Sequence, residues 1–374
     1  MSGIYVHIPF CRSRCAYCGF YSTTLLNLRQ QYVDAVCKEI ELRKDYVKGR
    51  FSTIYIGGGT PSMLTVDELS TLLHYIYKVY DIDAEAEVTI ECNPDDVTPD
   101  FAEAIGHMPV NRISMGAQTF DDERLKFIRR RHSSDEICLA VERLRQAGIS
   151  NISIDLMFGF PEETMQQWQT DIEKALALDV EHISAYSLMY EEGTPLTAML
   201  EKGDVKEIDE ELSNAMYDEL VSRLTNAGYE HYEISNFARP GFRSRHNSSY
   251  WHQTAYIGLG AAAHSFDIKS RQWNVDDIST YITEINKGNV PMERETLDRA
   301  TSYNDIVTTA LRTCEGIDLE KLAQQLGKEY SETLITSSKD FIDKGLLKLH
   351  DGHIRLTHKG IFISDTIMSE LMIV

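Results

Sequence analysis

Residues 8–20 read IPFCRSRCAYCGF, and the reading of this stretch decides which fold and which chemistry to expect. Cys11, Cys15 and Cys18 fit on one tight loop and can face a common centre. Thiolates select zinc, copper(I) or iron–sulfur clusters. Structural zinc takes four closed ligands, commonly as two separated pairs, and no second Cys or His pair in partner spacing is found, so zinc is the weaker reading. A 4Fe-4S cubane normally takes four Cys ligands. Three leave one iron with an open position, which implies an added ligand and hence chemistry. Buried structural cysteines are the alternative without a metal.

The cysteine loop follows a β-rich run, IYVHI (4–8). Further runs recur at TIYIGG (53–58), EVTIEC (87–92), NRISMGAQ (111–118), NISIDLMFG (151–159) and HISAYSLM (182–189). Between them, 66–80 and 134–147 repeat apolar residues every three or four positions, as amphipathic helices do. Thr65 with Glu68, and Thr98 before an acidic turn, mark helix starts. Six strands alternating with helices predict a parallel sheet, either open and doubly wound or barrel-like. The placement of chemical groups favours the barrel. The cysteine loop follows the first strand, GGGT the second, Glu91 and Gln118 end the third and fourth, and Asp155 lies in the fifth. Barrel sites are assembled at such strand ends, so a partial (β/α)6 TIM-like barrel is expected over residues 1–205.

From about residue 205 the pattern changes. A charged helix (206–227) leads into a segment rich in aromatic and small residues, expected as an appended αβ extension over 206–296. Residues 297–374 read as a small helical, winged-helix-like domain closed by a hairpin at Asp351-Gly352. With 12 acidic and 9 basic side chains, that domain lacks the basic face of a DNA reader. The whole chain has 58 acidic and 37 basic residues, a formal charge of -21, which disfavours nucleic acid and anionic membranes as partners. Arg129, Arg130 and Arg131 form a local basic exception. No run approaches the length of a transmembrane segment and no basic leader precedes an apolar run, so a cytoplasmic address is expected. Seven cysteines, an odd number, suit a reducing compartment. Cys37, Cys92, Cys138 and Cys314 stand singly and are expected as small buried residues.

IPFCRSRCAYCGF, GGGTPS (57–62), IECNPDD (90–96), SMGAQTF (114–120) and NISIDLMFGFPEET (151–164), in this order, resemble the radical S-adenosylmethionine (SAM) proteins of the oxygen-independent coproporphyrinogen III oxidase family. The resemblance implies a 4Fe-4S cluster on Cys11, Cys15 and Cys18. It also implies SAM chelating the open iron, and an electron that breaks its sulfonium bond to give a 5'-deoxyadenosyl radical. Tyr5 and Tyr17 resemble the aromatic contacts beside the cluster. Gly58, Gly59 and Thr60 resemble the turn that meets the methionine amino group; Glu91, Gln118, Arg130 and Asp155 resemble the residues holding the carboxylate and ribose. These types make physical sense. Glycine admits close backbone approach, arginine grips carboxylates, and Asp155 inside an apolar run requires polar partners.

Two departures from the oxidase pattern point elsewhere. Phe20 stands where the oxidases have a further cysteine, and the segment before the cluster is short. The chain is similar instead to the HemW-type haem chaperones, whose His-Asn-x-x-Tyr-Trp motif is matched by HNSSYW at 246–251. By that resemblance His246 offers an imidazole to haem iron, and Asn247, Tyr250 and Trp251 accompany it; His7, His252 and His264 are alternatives. The expectation is a haem chaperone, with the oxidase as the other reading. Its partners would be an electron donor such as flavodoxin or ferredoxin and haem-acceptor proteins, and it could be a homodimer.

Overall fold

The computed structural model describes residues 2–373. Each of the six runs forms a strand: β1 (Ser2–Ile8), β2 (Phe51–Gly58), β3 (Ile82–Cys92), β4 (Arg112–Gln118), β5 (Asn151–Phe158) and β6 (His182–Ser187). They pair in chain order, all parallel, with helix in every connection. A doubly wound sheet reverses its strand order at a switch point. This one does not, so it is an open barrel. The helix starts read from sequence are present. Thr65 and Glu68 cap each other reciprocally ahead of helix Val66–Val79, and the Thr98 hydroxyl accepts from the Phe101 N–H.

Alternation along the strands separates two faces. Ile4, Val6, Ile54, Ile56, Val88 and Ile113 point outward into the core shared with the helices. The inward residues are polar, and the register stacks them in rows. Tyr5, Tyr55, Thr89 and Arg112 make one row; Glu91, Ser114 and Ser153 make the row above. The barrel interior is therefore packed with polar side chains rather than an oily plug.

The segment 206–296 forms an αβ extension, as expected, and its strands join this sheet at both edges. After helix Glu210–Asn226, β7 (Glu230–Glu233) and β8 (Asn236–Ala238) add to the β6 edge. The strands β9 (Tyr256–Leu259), β10 (His264–Phe266), β11 (Ser270–Asn274) and β12 (Met292–Thr296) extend from β1, making twelve strands in one sheet. Strands this short have little stability alone, and the open barrel presents two unpaired edges that they cover. A buried ion pair fastens the larger extension. Glu39 accepts from Arg43, the Tyr281 hydroxyl (2.6 Å), the Gly260 N–H (2.8 Å) and Asn274 (2.8 Å).

The C-terminal part has its own core around Tyr303, Leu334, Ile354 and Ile367. Helices Arg299–Ala310, Leu319–Leu326 and Lys328–Asp343 pack with β13 (Ile317–Asp318), β14 (Leu347–His350) and β15 (His353–Leu356), a winged-helix-like order. Asp351 and Gly352 both have positive φ (+48° and +74°), as a two-residue type I' hairpin turn requires. Cys37 and Cys92 are buried as expected; Cys138 and Cys314 are instead exposed, on an outer helix face and a surface loop. Among the described residues no helix is long and apolar enough to cross a membrane.

Candidate cluster and cofactor site

The cysteine loop is pinned by backbone hydrogen bonds at its base and flanks. Thr23 N–H donates to the Pro9 carbonyl (2.7 Å) and Cys11 N–H to that of Thr23 (2.9 Å). Ala16 N–H donates to the Ile128 carbonyl (3.0 Å), and Leu196 N–H to that of Ala16 (2.9 Å). The three cysteines thus stand over the C-terminal ends of the strands. One cavity there brings together Cys11, Cys15 and Cys18 with Tyr17, Gly58, Gly59, Thr60, Glu91, Gln118, Arg130 and Asp155. Tyr5 is not part of it. Two residues below His7, it sits inside the barrel in a cluster of three rings with Tyr55 and His246, which stack on each other.

The residues fit a cluster and a zwitterionic cofactor on three counts. The donor set is three free thiols on one loop, suited to iron–sulfur ligation. The glycine turn is a close-approach surface. Gly58 has φ +117°, and a Cβ on Gly59 would lie 2.8 Å from the Pro9 carbonyl and 3.0 Å from Cys11 Sγ. Finally, Arg130 reaches in with Nη1 3.6 Å from Cys15 Sγ and Nη2 donating to the Gly116 carbonyl, while its buried Nε has no protein partner. An unpartnered guanidinium N–H beside a thiol loop is placed for an anionic group such as a carboxylate.

The acids of this site are held near neutrality. Glu91 accepts from the Tyr55 hydroxyl (2.7 Å) and the Gly58 N–H (3.0 Å), yet burial pushes its pKa up to about 7, with the Asp155 charge adding to the rise. Burial likewise raises Asp155 to about 6, against the opposing effects of Ser184, Arg112, Arg130 and Ser114. Burial lowers His7 to about 4, so the ring is neutral. Its Nε2 donates to the Tyr21 carbonyl (3.0 Å), leaving Nδ1 to accept from the Tyr5 hydroxyl (3.0 Å). One row below Glu91, Arg112 is buried with Nε and Nη1 unpartnered by protein and acts as counter-charge to both acids.

Arg112, Ser114 and Ser184 were not singled out from the sequence. The signal available was the polar alternation Arg112, Ser114, Gly116, Gln118 along β4, which marks an inward face. The arginine triplet also divides. Arg129 is exposed at the rim, Arg130 turns inward, and Arg131 pairs with Asp95 (3.0 Å) and Asp96 (2.9 Å).

HNSSYW lies at the opposite end of the barrel, in helix Arg245–Trp251. The Glu87 carboxylate accepts from the Arg245 and His246 N–H groups, each at 2.9 Å, which suits a helix N-terminus. The His246 ring is fully buried. Its Nδ1 is 2.8 Å from Thr53 Oγ1 and its Nε2 2.8 Å from the Tyr250 hydroxyl, and burial lowers its pKa to about 3. With both nitrogens engaged, the ring braces the barrel floor and presents no lone pair to a metal. That departs from the expectation of an axial ligand. Asn247 is half-buried on the same helix. Tyr250 and Trp251 line a separate cavity with Tyr256, Phe266 and Arg271, and the Arg312 guanidinium lies 5.5 Å from the Trp251 ring.

Residues 5–175 match the Radical SAM superfamily, and residues 297–363 match the HemN C-terminal domain. A Heme chaperone HemW of Bacillus subtilis is 33% identical over 377 residues, covering 100% of this chain and 99% of the relative. Another from Lactococcus lactis is 32% identical, covering 99% and 97%. Among solved structures, coproporphyrinogen III oxidase (HemN) from Escherichia coli superposes with a TM-score of 0.85 at 23% identity over 99% of this chain and 89% of that one, a likeness of fold.

Proposed function

We propose that this chain, which belongs to the HemW family of radical SAM proteins, is a haem chaperone that binds a 4Fe-4S cluster, SAM and haem. The observation that supports this most is full-length similarity to curated haem chaperones in a chain where one strand-end cavity gathers three thiols, the glycine turn and the carboxyl groups of Glu91 and Asp155. Cys11, Cys15 and Cys18 would hold the cluster. Gly58, Gly59 and Thr60 would meet the methionine amino group, Arg130 its carboxylate, and Glu91, Gln118 and Asp155 the remaining polar groups. When bound, the cluster and SAM would supply one-electron chemistry.

The protein's own part is placement. The pinned loop fixes the thiols, Gly59 lets backbone lie against Cys11, and neutral His7 supports the turn from below. Near-neutral Glu91 and Asp155 can each hold or release a proton as ligand charge arrives. Haem is the cargo, passed to acceptor haemoproteins in the cytosol, with flavodoxin or ferredoxin as electron donor. Phe20, exposed at the rim where the oxidases have a cysteine, favours this reading over decarboxylation.

The test is made on anaerobically reconstituted protein. The proposal expects saturable binding of one haem per chain and no consumption of coproporphyrinogen III when SAM and a reductant are supplied. Turnover of coproporphyrinogen without haem binding would overturn it in favour of the oxidase.

A further inference from the structure

The structure leaves the haem without an obvious iron ligand, since His246 is sealed in the barrel floor. His7 and His182 likewise have both ring nitrogens engaged, by Tyr5 and Tyr21 and by Ser153 and Tyr232. His252 has Nδ1 tied to the Ser248 carbonyl, which leaves Nε2 open, but it borders neither the cavity that Trp251 lines nor the one that Trp273 lines. His264 borders the latter, and neither of its ring nitrogens makes a hydrogen bond to any described residue. The ring is not loose, because it stacks on Trp273, its cross-strand partner, with centroids 6.1 Å apart and planes at 27°.

Register shows which face of the sheet His264 occupies. Tyr256 pairs with Gly3, on the same side of β1 as inward Tyr5; Phe266 pairs with Tyr256, and Arg271 with Phe266. His264 and Trp273 are two residues along from Phe266 and Arg271, and so share their face. This face therefore continues the barrel interior out along β9–β12, with one row of His264 and Trp273 and another of Tyr256, Phe266 and Arg271. The rows are about 7 Å apart, a span that a porphyrin macrocycle bridges.

Cavities flank both rows. Beside His264 is one of about 610 Å³, walled by Tyr21, Trp273, Pro291 and Met292 with Asp276 and Glu293 also on its lining, within the range of roughly 300–1,000 Å³ of ligand sites. Beside the other row is the cavity that contains Tyr250 and Trp251. A flat apolar ring needs a lined slot and one imidazole with an available nitrogen, and this face supplies both.

We propose that haem binds against this face of β9–β12 with its iron ligated by His264, while Tyr250 and Trp251 of HNSSYW wall the porphyrin. The inference rests on the haem-chaperone reading and names the site for it. Tyr21, three residues beyond Cys18, borders the His264 cavity while its carbonyl holds His7, so cargo and cluster lie on two sides of one short segment.

The test is an anaerobic titration of full-length, cluster-loaded protein with haem, followed by Soret absorbance and electron paramagnetic resonance. Wild type, His264→Ala and His264→Tyr are compared, with iron, sulfide and SAM binding as controls that neither change should move. In His264→Ala, affinity is expected to fall by about tenfold or more, 1.4 kcal/mol for each factor of ten, and the imidazole-ligated spectrum to vanish until free imidazole is added. His264→Tyr should bind with a phenolate-ligated, high-spin ferric spectrum. Wild-type affinity and spectrum in both variants would overturn the site while leaving haem binding intact. Absence of saturable binding in the wild type would overturn the haem reading itself, and the site with it.

Discussion

Replacing Gly59 by alanine probes the contact on which the cluster site is built. The added Cβ would lie 2.8 Å from both the carbonyl carbon and oxygen of Pro9 and 3.0 Å from Cys11 Sγ. Carbon contacts are comfortable at about 3.5 Å, so roughly 0.7 Å must be recovered. Neither side yields cheaply. The Gly59 N–H is held by the Ile8 carbonyl at 2.8 Å, and the Pro9 carbonyl accepts from Thr23 at 2.7 Å, closing the base of the cysteine loop.

Forced overpacking of this kind costs about 1–3 kcal/mol, which lowers Tm by about 1–4 °C in a chain this long. The displacement falls on Cys11, so reconstituted Gly59→Ala should also hold substoichiometric iron and sulfide and bind SAM more weakly. Gly49→Ala is the control. Gly49 has φ +106° with open space around its Cβ position, so that change strains backbone far from the site and should leave iron loading normal. Wild-type Tm, full iron and sulfide content and unchanged SAM affinity in Gly59→Ala would refute the reasoning.

Cys15→Ser should abolish cluster assembly, read as iron and sulfide after reconstitution, while far-UV circular dichroism stays native because the side chain belongs to a partly exposed loop. Glu39→Ala leaves Arg43 buried without its carboxylate and should cost about 3–5 kcal/mol in a urea titration. Glu91 titrates at about 7 in the folded chain against 4.5 in the unfolded one. Between those values the folded protein binds more protons, so the Glu91 contribution makes stability fall as pH rises through that window; Glu91→Gln should flatten that part of the cluster-free protein's profile.

The barrel strands and their chemistry were legible because both signals are local. Alternation marks the strands, and Cys11 to Cys18, Gly58 and Glu91 sit at turns or strand ends that a linear reading locates. What escaped was pairing between distant segments. β7 to β12 are three to five residues long, too short to announce a sheet, and their place at two edges is set by partners such as Glu39 and Arg43 on a helix near the other end of the chain. The same limit governed His246. Its sequence neighbours suggest a ligand, but Thr53, Glu87 and Tyr55, which bury and engage it, lie more than 150 positions away. Residue type alone points to a buried Cys138, although it lies on the solvent side of its helix.

The account stands most directly on handover of haem. Protein loaded with one equivalent would be mixed anaerobically with increasing concentrations of an apo-haemoprotein, and the movement of the Soret band followed in time. A chaperone predicts that the transfer rate rises with acceptor concentration, because the cargo leaves through a protein–protein encounter. A rate independent of acceptor concentration would show passive loss into solution and would contradict the account.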